Sequence, residues 1–287
     1  MRSLIGRIRA VIWAGILGFL IIIFGAGIWA ALVAVNLSAT PAIPWSVPAM
    51  ALVLCLMWMY LGGAGWPRST SQVRRLCMRA NLVSAPAFGW SLIAGTLSVV
   101  ALAGLWIVLC QLFKMPLNAL PDISRYPLLT VALLILMGSV AAPFTEEPAF
   151  RGYCQVILER EFSGPAAVML SSLLFALAHG PTQGFVWPKL LFYFLVGVVF
   201  GTTAYLTNSI LPAIPGHVIG LLIFFTLVWP RDAHRRLVWN GGADFWLWAH
   251  VAQAILFGLL AVWAFQRLAG VCGQTVGLKA KEISAPN

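Results

Sequence analysis

The chain has 287 residues, 61% of them hydrophobic and only 9% charged, with a net charge of +10. Soluble domains carry about 25% charged residues, so too little polar sequence is left here to cover a large water-soluble core. The basic residues lie between apolar runs, not in a compact basic domain with interleaved aromatics; this excludes a nucleic-acid partner and points to membrane orientation and contact with lipid headgroups.

Apolar runs of about 20 residues are what a bilayer core requires. Eight such spans are predicted, with approximate cores at 10–35, 47–65, 83–113, 127–145, 164–180, 188–207, 209–229 and 245–269. The first is too long for a signal-peptide core and lacks a small-residue cleavage site, so it is expected to remain as an uncleaved span. The helix of the fourth continues to about Glu161. Gly180-Pro181 interrupts the fifth, and the stretch from Leu211 to Pro215 interrupts the seventh. Prolines at membrane depth mark kinks or broken helices whose freed carbonyls are satisfied inside the protein. The expected fold class is therefore all-α, a polytopic transmembrane helix bundle broken or kinked at some Pro and Gly positions. Neither a repeat nor a linker divides the chain. One integral-membrane domain is expected, with N-terminal helices and loops over 1–126, core spans over 127–229, and the last outer loop, final span and tail over 230–287.

The distribution of Lys and Arg orients the bundle. With the N-terminus in the cytoplasm, that side receives Arg2, Arg7 and Arg9, then Arg68, Arg74, Arg75 and Arg79, then Arg151, Arg160, Arg267, Lys279 and Lys281. The other side receives Lys114, Arg125, Lys189, Arg231, Arg235 and Arg236. This asymmetry places both termini in the cytoplasm, and in a bacterium the membrane would be the plasma membrane. The five cysteines, Cys55, Cys77, Cys110, Cys154 and Cys272, are scattered without a CxxC pair and read as small packing residues.

Of eight acidic residues, Asp122, Glu159, Glu161, Asp232, Asp244 and Glu282 fall in expected loops or tails. The remaining two, Glu146 and Glu147, adjoin a long apolar stretch, where ionisable groups cost several kcal/mol and mark functional positions. On a helix Glu147 and Arg151 are one turn apart with the acid first, so they can pair on one face. Glu146 is rotated by about 100° and has no such partner. One carboxylate is thus structural while its neighbour faces a cavity, where an unpaired, desolvated carboxyl suits general acid–base work. The simpler alternative is that both acids pin Arg151.

Among the histidines, His234 falls in a charged loop and His250 at an interfacial span start beside Trp246 and Trp248. His179 and His217 instead sit in apolar runs. Each alone reads as a helix–helix hydrogen bonder. Two of them with an unpaired glutamate, on three spans, can meet around one water. Phe175 lies one turn before His179, so its ring would pack on the imidazole face.

These residues resemble a known family. The run Glu146-Glu147-Pro148-Ala149-Phe150-Arg151 resembles the EExxxR motif of the intramembrane endopeptidases related to CAAX prenyl protease type 2, the CPBP or Abi family. Phe175 to His179 resembles its FxxxH motif, and the approach to His217 resembles its third motif, HxxxN or HxxxD. The chain departs from the third motif at Leu221, where the family has Asn or Asp assigned to holding the oxyanion.

The resemblance implies an intramembrane endopeptidase of glutamic or metallo type acting on a peptide or membrane-anchored protein. Glu146 would activate water with His179, and His217 would stabilise the oxyanion. Glu147, Arg151 and Phe175 would support them. No cofactor is required in the preferred mechanism. Zinc or another divalent metal is the alternative, held by Glu146, His179 and His217 with an open fourth position. Leu221 also supports a catalytically impaired scaffold of the same fold, like the bacteriocin-immunity relatives, and a proton-coupled transporter is a third alternative. The sequence contains no HExxH, no Gly-x-Ser-Gly and no Asp within a span, which removes zincins, rhomboid-like serine proteases and presenilin-like Asp pairs.

Overall fold

The computed structural model describes residues 4–116, 123 and 125–284, without the side chains of 233 and 274–284. Arg2 and Asp122 therefore lie outside the described residues, as do the side chains of Lys279, Lys281 and Glu282. The described residues are helical and turn structure with no strand. Seven helices are long and apolar enough to cross a membrane. The chain is a multi-pass integral membrane protein, because in hydrocarbon only a helix or a closed barrel satisfies its own backbone.

Helix α1 spans Leu4–Ala39, and the shorter α2 spans Ser46–Leu61. An interfacial helix α3, Ser71–Met78, leads to α4, Ala85–Leu112. Helix α5, Leu128–Glu146, runs on through a π-helical segment, Glu147–Cys154, into α6, Gln155–Glu159. Helices α7, Gly164–Gln183, and α8, Trp187–Thr207, form an antiparallel pair. They approach closely at Gly197, where a Cβ would stand 2.7 Å from the Ser172 Cα. Helix α9, Ala213–Ile223, continues as a π segment, Phe224–Val228, and a 3-10 turn, Trp229–His234. A one-turn helix α10, Val238–Gly241, precedes α11, Phe245–Ser284. Helix α4 is the most buried span and packs along α11, while α1 and α11 are the most exposed.

Three span boundaries differ from the sequence expectation, each for a local reason. Helix α2 stops at Leu61 instead of 65 because the buried Arg74 takes over its C-terminal end. Arg74 Nη1 donates to the carbonyls of Tyr60 and Ala64 at 2.7 and 2.9 Å, and Nη2 to Gly65 at 3.2 Å. Helix α7 is not broken at Pro181; it carries that proline internally and ends at Gln183, before Gly184 at φ 86°. The seventh span begins at Ala213, not 209. Residues 208–212 form a turn satisfied by the segment after α3: the Ile210 amide donates to the Arg79 carbonyl at 3.0 Å and Ser209 Oγ to the Asn81 carbonyl at 2.6 Å. Asn208 and Arg79 both adopt left-handed conformations, at φ 49° and 53°, and end α8 and α3.

Polar clusters mark the two ends of the bundle. At one, Arg79 Nη1 pairs with Glu159 Oε1 at 2.9 Å while its Nε donates to Asn208 Oδ1 at 3.0 Å. At the other, Asp232 accepts from Trp106 Nε1 at 2.9 Å and from Arg235 Nε at 2.8 Å. Asp232 and Glu159 are thus not the solvated loop acids the sequence suggested, because neighbouring helices bring donors to them. Lys189, assigned to the outer side, is buried at the start of α8, and its Nζ donates to the Gln183 carbonyl at 2.9 Å. His234 is exposed as expected, and His250 stacks on Trp246 with ring centroids 6.3 Å apart.

Candidate functional site

The site is set by a widened turn. Pro148 has no N–H and its ring crowds the carbonyl four residues back, that of Phe144. The helix relieves this by opening into the π segment that begins at Glu147. The freed Phe144 carbonyl accepts from Trp58 Nε1 on α2 at 2.7 Å. At Gly152 a Cβ would stand 2.9 Å from the Cys77 carbonyl, so α3 can lie directly against this segment.

The two glutamates diverge as the sequence predicts. Glu147 is fully buried and pairs with buried Arg151, Oε1 to Nη1, at 3.4 Å. Arg151 lies over the Phe175 ring with its guanidinium carbon 4.1 Å from the centroid, and its Nη2 donates to the Val196 carbonyl at 3.4 Å. Glu146 turns away and lines an apolar cavity of about 400 Å³ bounded by α1, α4, α5, α7, α8 and α9. The reading in which both acids pin Arg151 does not match this geometry, since only Glu147 is paired with it.

The histidines meet on Glu146. His179 Nε2 is 3.8 Å from Glu146 Oε1, and His217 Nε2 is 3.6 Å from Glu146 Oε2. Both distances are long for direct hydrogen bonds and short enough for one water to reach both partners. The other nitrogen of each ring is committed. His179 Nδ1 donates to the Phe175 carbonyl at 2.9 Å, a group that can only accept. His217 Nδ1 lies 2.8 Å from Glu147 Oε1, the oxygen that also faces Arg151. A carboxylate in that ion pair accepts, so Nδ1 carries the proton. The chain of contacts from Arg151 through Glu147 to His217 therefore fixes which imidazole nitrogen faces the cavity.

Every sequence-predicted site residue is in this assembly. Glu146, His179, His217, Phe175 and Leu221 line the cavity, and Glu147 and Arg151 support it from behind. The Phe175 and His179 rings make an edge contact with centroids 4.5 Å apart. Leu221 contributes only an apolar wall where the related motif carries Asn or Asp. Two residues that the sequence reading missed back the imidazoles from α8. Tyr193 stacks on His179 with centroids 4.0 Å apart, and Phe200 stacks on His217 at 4.7 Å, both at 17°. Their seven-residue spacing puts them on one face of α8, a signal present in the sequence but common to any apolar helix.

Among the described residues no three His, Cys, Asp or Glu side chains are grouped so as to hold a metal ion. Each free Nε2 stands 3.6–3.8 Å from one oxygen of the Glu146 carboxylate.

Fold and site together define a class: a multi-pass helical membrane protein with a glutamate and two histidines converging in an apolar cavity. The model of a peptidase family, the Rce1-like type II CAAX prenyl endopeptidases, matches residues 128–223, about a third of the chain, so this segment is an Rce1-like domain. The match runs from the start of α5 to the end of α9 and contains all the residues described above. No curated protein and no solved structure matches the chain.

Proposed function

We propose that this protein is an intramembrane endopeptidase that hydrolyses a peptide bond of a membrane-associated protein or peptide. The observation that carries the reading is the convergence of two imidazole Nε2 atoms on the Glu146 carboxylate inside an apolar cavity. A water there donates one hydrogen to Glu146 and the other to His179 Nε2. Glu146 takes the first proton as the oxygen adds to the scissile carbonyl carbon; the tetrahedral oxyanion then needs a hydrogen-bond donor, a role the resemblance gave to His217 but one that its Nε2, with the ring proton on Nδ1, does not fill. Collapse breaks the carbon–nitrogen bond, and the proton on Glu146 passes to the leaving amine. Water and proton are thus accounted for without a metal ion.

The apolar wall of the cavity suits a substrate with a lipid-like or apolar segment. The name of the matching family, CAAX prenyl endopeptidase, supports a substrate near whose C-terminus a prenyl group is attached. Glu146 stands thirteen residues before Glu159 on one continuous helical span, roughly 20 Å at about 1.5 Å per residue, so the scissile bond would be met well inside the bilayer. The Lys and Arg asymmetry supports cytoplasmic termini.

Peptide termini compared between cells carrying the wild type and Glu146→Gln test the reading. The expected result is a set of termini that depends on Glu146, with the variant accumulating in the membrane to the normal level. Identical termini in both strains would sink the assignment and favour the scaffold reading, for which Leu221 is the specific observation.

A further inference from the structure

The Tyr193 hydroxyl is a polar group that the reaction as described leaves unused. Tyr193 is buried, 6% exposed, yet forms part of the wall of the cavity that holds Glu146, His179, His217 and Leu221. Its ring has a full set of partners: it stacks on His179 and meets the edges of Phe175 and Phe192 at centroid distances of 6.5 and 5.4 Å. Its hydroxyl has no hydrogen-bond partner in the protein.

Packing alone does not call for that oxygen. Phe200 backs His217 in the same way, at the same 17° angle, without a hydroxyl. A buried hydroxyl lacking a partner costs about 1–3 kcal/mol relative to a satisfied one. Phenylalanine at 193 would keep the stack and remove the cost, so the oxygen has a use that the resting protein does not display. What the site lacks is a donor for the oxyanion. Leu221 cannot supply it, and His217 turns an Nε2 without a hydrogen to the cavity because its proton is held on Nδ1 against Glu147.

We propose that the Tyr193 hydroxyl donates to the carbonyl oxygen of the scissile bond, taking the place of the polar side chain that Leu221 lacks. The hydroxyl donates without transferring its proton, so the proton accounting of the hydrolysis is unchanged. Its hydrogen bond strengthens as charge develops on the oxygen, the condition under which a donor accelerates the step instead of only binding substrate. This inference rests on the proposed peptidase reading.

Four strains separate the two: wild type, Glu146→Gln, Tyr193→Phe, and Tyr193→Phe with Leu221→Asn, compared by their peptide termini in the native host. Termini that depend on Glu146 define the substrates. With a reporter peptide built on one of those cleavage sites, Tyr193→Phe is expected to lower kcat about 10²-fold with KM little changed, the loss typical of one oxyanion donor. The added Leu221→Asn is expected to recover at least about tenfold of it. A lost structural contact at 193 would not be repaired by a donor on α9, so rescue separates the two roles. Full activity in Tyr193→Phe, or a loss that Leu221→Asn does not recover, would overturn the inference while leaving the peptidase reading intact. No Glu146-dependent termini at all would remove both.

Discussion

Two regions of this bundle pair carboxylates with nitrogen groups, and they are built differently. At the bundle end, Arg79, Glu159 and Asn208 close on one another at 2.9 and 3.0 Å, and Glu159 takes a further bond from Gln155 at 2.9 Å. Inside the bundle, Arg151, Glu147 and His217 form a similar chain, but the next contacts, from His217 and His179 to Glu146, stretch to 3.6 and 3.8 Å. The first cluster spends its donors on itself and ties α3, α6 and the α8–α9 turn together. The second leaves one carboxylate and two lone-pair nitrogens facing a cavity. Closed polar clusters fix structure; a cluster left open at one carboxylate is equipped to act on a molecule that enters.

Breaking the supporting half of the open cluster should have the largest effect. Arg151→Met leaves Glu147 as an uncompensated buried charge, a change that costs about 3–5 kcal/mol. The expected outcome is a strongly lowered unfolding temperature in detergent, with partial recovery in the double variant Glu147→Gln, Arg151→Met. Equal stability of Arg151→Met and wild type would mean that the pair is not a structural element.

The closed cluster should respond differently. Arg79→Met is expected to cost about 2 kcal/mol, less than a deep pair because Glu159 keeps Gln155 and some solvent contact. Cleavage per folded molecule should be unchanged. A selective loss of cleavage would erase the distinction between the two clusters.

Smaller changes probe the backing of the imidazoles. Phe200→Leu removes the ring under His217 and is expected to cost about 1 kcal/mol. The freed imidazole should slow cleavage about tenfold through loss of orientation. Thermal unfolding and single-turnover assays on the same samples separate the two effects.

The smallest expected effects complete the comparison. Glu146→Gln should unfold within about 1 kcal/mol of wild type, because its carboxylate makes no short contact that the amide would lose. Treatment with a strong divalent-metal chelator should leave cleavage unchanged; loss of activity that added zinc restores would show that the metal-free mechanism is wrong.

Much of this was legible in one dimension. The apolar runs specify a membrane helix bundle because continuous runs of about 20 residues fit helices, whereas barrel strands are about 10 residues long and alternate in polarity. The relation of Glu147 to Arg151, and the turning away of Glu146, follow from helical spacing and survive even though the segment is π-helical. His179 and His217 stood out because imidazoles are rare in apolar runs. What the sequence could not give was any contact that joins separate helices. Asp232 looked like a loop acid until Trp106 and Arg235 were seen to reach it. Lys189 looked like an interfacial charge until α8 buried it. Nothing in the sequence sets Tyr193 and Phe200 apart from the other aromatics of α8, yet each stacks on one histidine.

The sequence by itself determined that the chain lives in a bilayer, which residues there are too costly to be incidental, and that Leu221 departs from the pattern around it. Helical periodicity and the cost of buried charge act locally, and both can be read along the chain. Only the tertiary structure decided that the two imidazoles converge on a single carboxylate, which of their nitrogens faces the cavity, and that a tyrosine with an unpartnered hydroxyl lines that cavity along with Leu221. Those facts depend on how six helices pack, and packing is a property of surfaces that come together from distant parts of the chain.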